Sequence, residues 1–150
     1  MKNLYDMDFK IIGLTDLSDG LIKAIHMYPD MAEDRLKAIA NNLKKDVISE
    51  EKRVIKNDDI RTKNKLTSSS GFSVGKVRGY NEKMEVDFSA ESKIFHLVEN
   101  GHEQTTKDGK QLGWIQGNYV VKKLRIQYAE YVMPLEMDQL LTDIMKACDL

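Results

Sequence analysis

Residues 72–88, Phe72-Ser73-Val74-Gly75-Lys76-Val77-Arg78-Gly79-Tyr80-Asn81-Glu82-Lys83-Met84-Glu85-Val86-Asp87-Phe88, interrupt a helical rhythm and decide the fold class. Met84, Val86 and Phe88 alternate with Glu85 and Asp87, the period of a half-buried strand. Phe72 and Val74 start a preceding strand whose phase slips at Gly75, since Val77 falls on the other parity. A bulge at Gly75 absorbs that slip. Asn81 and Glu82 make the hairpin turn. Ile94, Phe95, Leu97 and Val98 then form an apolar run short enough to be a strand or one helical turn.

Upstream, the period is helical. Thr15 or Asp16 caps a short helix to about Met27, with Leu17, Leu21 and Ile25 at i, i+4 and i+8, and Pro29 marks a break. From Asp30 on, Ala32, Leu36, Ile39, Leu43 and Val47 recur at spacings of 4, 3, 4 and 4, one face of a helix reaching Ile48 or Val54. Glu33, Asp34, Lys37, Asn41, Lys44 and Lys45 lie opposite, on the watered side. Residues 56–71 form a long polar connection with only Ile60 and Leu66 apolar, expected to be mobile in an isolated subunit.

Downstream, seven of the nine glycines fall between 71 and 117, where tight turns and close backbone approach are needed. Residues 101–113 read as a polar loop with a turn at Asp108-Gly109. Asn118 caps a closing helical stretch on which Val121, Leu124, Tyr128, Tyr131 and Val132 share a face, and Pro134 kinks or restarts it. Leu135, Leu141, Ile144, Met145 and Cys148 continue the apolar stripe. The expected fold is therefore α+β: N-terminal helices, a central antiparallel β-sheet and a C-terminal amphipathic helix, in one domain over 1–150.

The composition is that of an ordinary soluble globular chain: 150 residues, 41% hydrophobic, 31% charged, net charge −1. That balance argues against a dedicated nucleic-acid binder, which carries a basic excess. The charge is unevenly placed, however. Residues 1–34 carry three bases and seven acids, and residues 35–65 carry ten bases and five acids. Residues 82–103 turn acidic again, with six acids to two bases. Opposed sectors of this kind suit head-to-tail association or ordered docking, while the plainer reading is a set of solvated helix faces. The single cysteine, Cys148, forms no internal disulfide, and no apolar run reaches the roughly 18 to 20 residues of a membrane span. The acidic N-terminal stretch lacks the pattern of a signal peptide, so a reducing compartment is expected.

No catalytic, cofactor-binding or metal constellation stands out. His96 and His102 flank Glu99 and precede Glu103, but their spacing does not put two imidazoles on one helix face as a zinc motif needs. Cys148 sits on the apolar side of a helix without a base beside it, a small core or interface hydrophobe rather than a nucleophile. Gly71, Gly75 and Gly79 follow no strand and open no helix, so no phosphate-cradling loop is present. The basic sector holds no aromatic residue to stack on bases, although Lys56, Arg61, Lys63 and Lys65 remain available for phosphate contact. By elimination, the chain reads as a structural or interaction protein. Its alternative reading is a small cytoplasmic nucleic-acid-associated regulator using the basic 35–81 sector.

Three stretches carry a resemblance. Phe95-His96-Leu97-Val98-Glu99-Asn100-Gly101-His102, then Gly113-Trp114-Ile115-Gln116-Gly117-Asn118-Tyr119-Val120 and the amphipathic C-terminal stretch, resemble the neck or minor tail proteins of tailed bacteriophages and prophages. Upstream, Ile60-Arg61-Thr62-Lys63-Asn64-Lys65-Leu66-Thr67-Ser68 is similar to that family's segment before the first strand. It departs in having Lys63 where the family has glycine and one extra residue before Leu66. Gln116 stands where a proline is usual, and Asn118 where a basic residue is usual.

The resemblance implies a non-catalytic virion component at the head–tail junction, a homo-oligomeric ring, commonly hexameric. Its implied partners are itself, the head-closure or connector proteins and the tail-tube or tail-terminator proteins, with DNA only passing through the channel and no membrane. Arg61, Thr62, Leu66, Glu99, Gly101, His102, Trp114 and Gly117 are the motif and interface candidates. Glu99 reads as an interface ion pair or loop anchor, or as a carboxylate accepting backbone amides of its own loop. Gly101 reads as a positive-φ position. Trp114 reads as an assembly anchor or as a lid over the domain's own core. The acidic 82–103 region and the basic 35–65 region offer the two unlike patches of a ring contact. The connection 56–71 is expected to order against a neighbour, and strong amide-exchange protection throughout it in a monomer would overturn that expectation.

Overall fold

The computed structural model describes residues 4–56, 64–79 and 84–150, with 4–18 described as backbone alone. It is α+β, as expected, and falls into two compact units: Met1–Arg35 with Pro134–Leu150, and Leu36–Met133.

Helix α1 runs from Leu4 to Val54 and contributes to both units. The expected break is absent: Pro29 lies inside α1, and Thr15 and Asp16 are interior helical positions rather than caps. Proline removes one backbone bond of this helix, whereas two separate helices would leave a whole turn of amides and a whole turn of carbonyls without partners. The helix therefore continues through it. The second half follows its sequence periodicity, with Ile39, Ala40 and Val47 buried.

In the unit Leu36–Met133, α1 supplies Val47 to a core completed by Phe72, Val120 and Leu124, with Leu43, Ile48, Phe88 and Phe95 packed against it. Strands β1 (Phe72–Val74) and β2 (Phe88–Ala90) pair antiparallel, Phe72 opposite Ala90 and Val74 opposite Phe88. Phe72 stacks on Phe88 at 5.6 Å and meets Phe95 edge-on at 5.7 Å. The outer face carries Ser73 and Ser89, whose hydroxyls bond each other at 2.7 Å.

The phase slip read at Gly75 is present in the register. The Gly75 N–H donates to the Asp87 carbonyl, while Arg78 bridges Glu85, so three steps on one strand answer two on the other. Val77 is thereby buried along with Phe72 despite its opposite parity. The hairpin turn expected at Asn81 and Glu82 lies outside the described residues. So do residues 57–63 of the polar connection, with Arg61 and Thr62. From Asn64 the connection is a turn and a short 3-10 helix (Ser69–Gly71), and Leu66 is 1% exposed.

The apolar run after β2 is helical: α2 spans Phe95–Asn100. Residues 101–113, expected as a loop, belong to a hairpin instead, β3 (Gly101–Thr105) with β4 (Gln111–Gln116). The turn at Asp108-Gly109 is where the sequence puts it, with Gly109 at φ +81° and its N–H donating to the Thr106 carbonyl. The β content is thus two separate two-stranded sheets rather than one central sheet. Helix α3 (Val120–Gln127) follows, then a π turn at Tyr128–Val132. Its buried row is Val120, Leu124 and Tyr128, and Tyr131 is exposed because the π turn carries later residues off the 3.6-residue period.

In the unit Met1–Arg35 with Pro134–Leu150, helix α4 (Met133–Ala147) begins just before Pro134, which occupies its first turn. Leu140, Ile144 and Cys148 form its buried row, together with Ala32 of α1. Leu135, Leu141 and Met145, read as part of the same stripe, are exposed, as are Leu21 and Ile25 of α1. The Cys148 thiol lies 3.8 Å from the Met27 sulfur. Arg35 bonds Glu136 at 2.8 Å and Asp143 at 2.5 Å, and Lys23 donates to the Ala147 carbonyl. Among the described residues, no helix is long and apolar enough to cross a membrane.

Candidate functional site

The residues of the central motif converge where α2 ends and α3 begins. Helix α2 leaves its last carbonyls without helical partners, and α3 leaves its first amides so. Each end answers the other. The Asn118 N–H donates to the Val98 carbonyl at 2.9 Å and the Tyr119 N–H to the Glu99 carbonyl at 3.1 Å. In return the Glu99 carboxylate accepts the Val121 N–H at 3.1 Å and the Lys122 N–H at 2.8 Å. A carboxylate at a helix N-terminus also meets the positive end of the helix dipole. Glu99 is therefore a buried anchor that accepts amides, as one of its two readings held, but they are the amides of α3 and not of the loop it precedes.

Two glycines permit this closure. Gly101 takes φ +86°, and a Cβ there would stand 2.6 Å from the Ile115 carbonyl oxygen and 2.9 Å from the Trp114 ring. A Cβ at Gly117 would lie 2.3 Å from the Glu99 carbonyl oxygen. The two chain segments thus touch backbone to backbone. Tyr119, in the left-handed region at φ +52°, turns the chain into α3, accepts the Gln116 amide at its hydroxyl and lies beneath the Lys122 ammonium at 5.4 Å.

From this base the hairpin β3–β4 extends with every residue of β4 exposed. Trp114 is 59% exposed, so the reading of it as a lid over the core is corrected: its ring edge lies over Gly101, and the rest faces outward. Leu112 and Ile115 are exposed beside it. The register slips by one between Gln104 and Thr105, leaving Leu112 as the extra residue of β4. His102, opposite Ile115, is partly buried and its Nδ1 has no partner among the described residues.

Beneath the junction lies Glu51, which the sequence reading passed over. Its side chain is 0% exposed; Oε2 accepts the Asn118 side-chain amide at 2.9 Å, and Oε1 has no partner among the described residues. Burial pushes its carboxyl up to about 7, against the pull of the Asn118 bond, with the nearby Glu99 and Glu50 charges adding to the rise. The signal was in the sequence: the apolar row at 43 and 47 continues at 51, so a carboxyl occupies a core position.

Of the eight candidates, Glu99, Gly101, His102, Trp114 and Gly117 gather at this junction and hairpin. Leu66 is buried on the separate 64–71 segment, and Arg61 and Thr62 lie outside the described residues. Searches for known counterparts found no match: no family model, no curated protein and no solved structure.

Proposed function

We propose that this chain is a structural subunit of a tailed-phage or prophage virion, assembling into an oligomeric ring at the head–tail junction. The observation that carries the reading is the hairpin Gly101–Gln116. It is an exposed ribbon bearing Trp114, Leu112 and Ile115, held at its base by the Glu99 and Gly117 contacts. A two-stranded sheet has two unpaired edges and is marginal by itself, so a neighbour's surface is its natural complement. An aromatic anchor on a rigid base is also the composition of an interface centre.

In this reading the hairpin of one subunit meets an unlike surface of the next, which closes a ring. The rings stack between connector and tail tube and leave a channel for DNA. The work is assembly, with no catalytic step.

Negative-stain electron microscopy of lysate from a phage or prophage deleted for this gene tests the proposal. DNA-filled heads lying apart from complete tails are the expected outcome. Intact joined virions would overturn the assignment.

A further inference from the structure

We propose that a lysine-lined groove on α1 holds the backbone phosphates of duplex DNA. The groove lies within the unit Leu36–Met133 and measures about 560 Å³; Ile48 lies in it, and its polar lining is Asn41, Lys44, Lys45, Ser49, Lys52 and Ser69. Among the described residues, every polar group there is a donor or can act as one, and no carboxylate lines it. The acids of the same helical stretch are engaged elsewhere. Asp46 accepts the Tyr128 hydroxyl, Glu50 pairs with Arg53 at 2.9 Å, and Glu51 is buried against Asn118. Among the described residues, Lys44, Lys45 and Lys52 consequently have no carboxylate partner.

The spacing selects the class of anion. Lys44 and Lys52 are eight residues apart, about 12 Å of helix rise, more than one phosphate group spans. A nucleic-acid strand presents a phosphate about every 3.4 Å along its axis, so the row addresses successive phosphates. Ser49, Ser69 and Asn41 add the neutral donors that backbone recognition uses. Among the described residues, no aromatic ring lines the groove to stack on an unpaired base, which favours a duplex over a single strand and makes the contact indifferent to sequence. The inference rests on the groove's own charges and is independent of the ring assignment.

The test is fluorescence anisotropy of a labelled 30-base-pair duplex with the full chain across a salt series. Binding is expected to weaken with salt at a log–log slope of about −0.9 per lysine engaged, near −2.7 for all three. Lys44→Gln/Lys45→Gln/Lys52→Gln should lose about tenfold or more and flatten the slope, two sequences should bind alike, and the corresponding triple arginine variant should bind as wild type. A control variant, Lys93→Gln/Lys107→Gln/Lys110→Gln, removes the same charge elsewhere and should lose less than about threefold. An unaltered melting transition certifies the fold of each. No binding at low salt, equal losses in groove and control variants, or retention by the groove variant would overturn the proposal. So would competition by millimolar inorganic phosphate at unchanged ionic strength, which would mark a small-anion site, or preference for an acidic polypeptide over the duplex.

Discussion

The Glu99 carboxylate accepts the Lys122 backbone N–H at 2.8 Å across 23 residues of chain, and through it the end of α2 caps the start of α3. Glu99→Ala removes both acceptors and leaves two amides of a buried junction without partners. The expected loss is about 1–3 kcal/mol in denaturant unfolding. Glu99→Gln should fall between the two, since one amide oxygen replaces two carboxylate oxygens. A Glu99→Ala chain as stable as wild type would contradict this account.

Gly117→Ala should be among the most damaging small substitutions in the chain. The added methyl would lie 2.3 Å from the Glu99 carbonyl oxygen, a backbone atom that cannot swing aside. A loss of about 2–4 kcal/mol, or failure to fold, is expected from overpacking against rigid neighbours. Gly109→Ala offers the contrast. Nothing stands within 4 Å of its Cβ position, so only the strain of φ +81° is felt, about 1 kcal/mol. Thermal melts of the two variants side by side check the difference.

Glu51 makes stability depend on pH in an uncommon direction. Its carboxyl titrates near 4.5 in the unfolded chain and is pushed up to about 7 in the fold. Between those values the unfolded state releases a proton that the folded state keeps, so rising pH favours unfolding. The contribution is fully present below about 4.5, declines through the interval and is gone above about 7. The whole effect is about 3 kcal/mol. Unfolding free energies of wild type and Glu51→Gln measured from pH 5 to 8 should converge at the acid end and separate at the alkaline end, with the glutamine form the more stable there. Parallel profiles would refute the assignment.

Leu66 is the buried anchor of the 64–71 segment, and Leu66→Ala should cost about 2–5 kcal/mol despite its surroundings of Lys65, Thr67 and Ser68. A chemical denaturation curve with an unchanged midpoint would show that the segment contributes nothing to the fold.

Trp114→Ala should do the opposite: a small effect on the melting temperature, because most of the ring is exposed, and a large one on self-association. Analytical ultracentrifugation over a concentration series reads this directly. Assembly unaffected by the change would remove the hairpin from the interface.

The legible parts of the fold are those in which burial and periodicity coincide. The row Ile39, Leu43, Val47 announces its helix; the alternation from Met84 to Phe88 appears as alternating exposure, but the paired strand is Phe88–Ala90, and of the residues 84–87 only Glu85 is bridged, to Arg78. Pro29 misleads because the cost of one lost hydrogen bond is local, while the decision to continue a helix is cooperative. The hairpin 101–116 is invisible for another reason. With β4 exposed along its whole length, its residues were never sorted into an inner and an outer row, and there was no alternation to read. At the candidate site the glycines and Glu99 stand out in the sequence, yet their partnership with residues twenty positions away does not. Glu51 is the clearest instance, a charged letter in an apolar row whose meaning depends on Asn118.

Because the chain leaves the junction at Gly101 and returns to it at Gly117 with the two backbones in contact, everything between them is a closed excursion. Its ends are fixed by α2 and α3 and ask nothing of its length. Extending the tip around Asp108 and Gly109 adds only the slowly growing entropy of a longer loop. The hairpin is in this sense an exchangeable cassette, able to change reach and chemistry while the helices that carry it stay as they are.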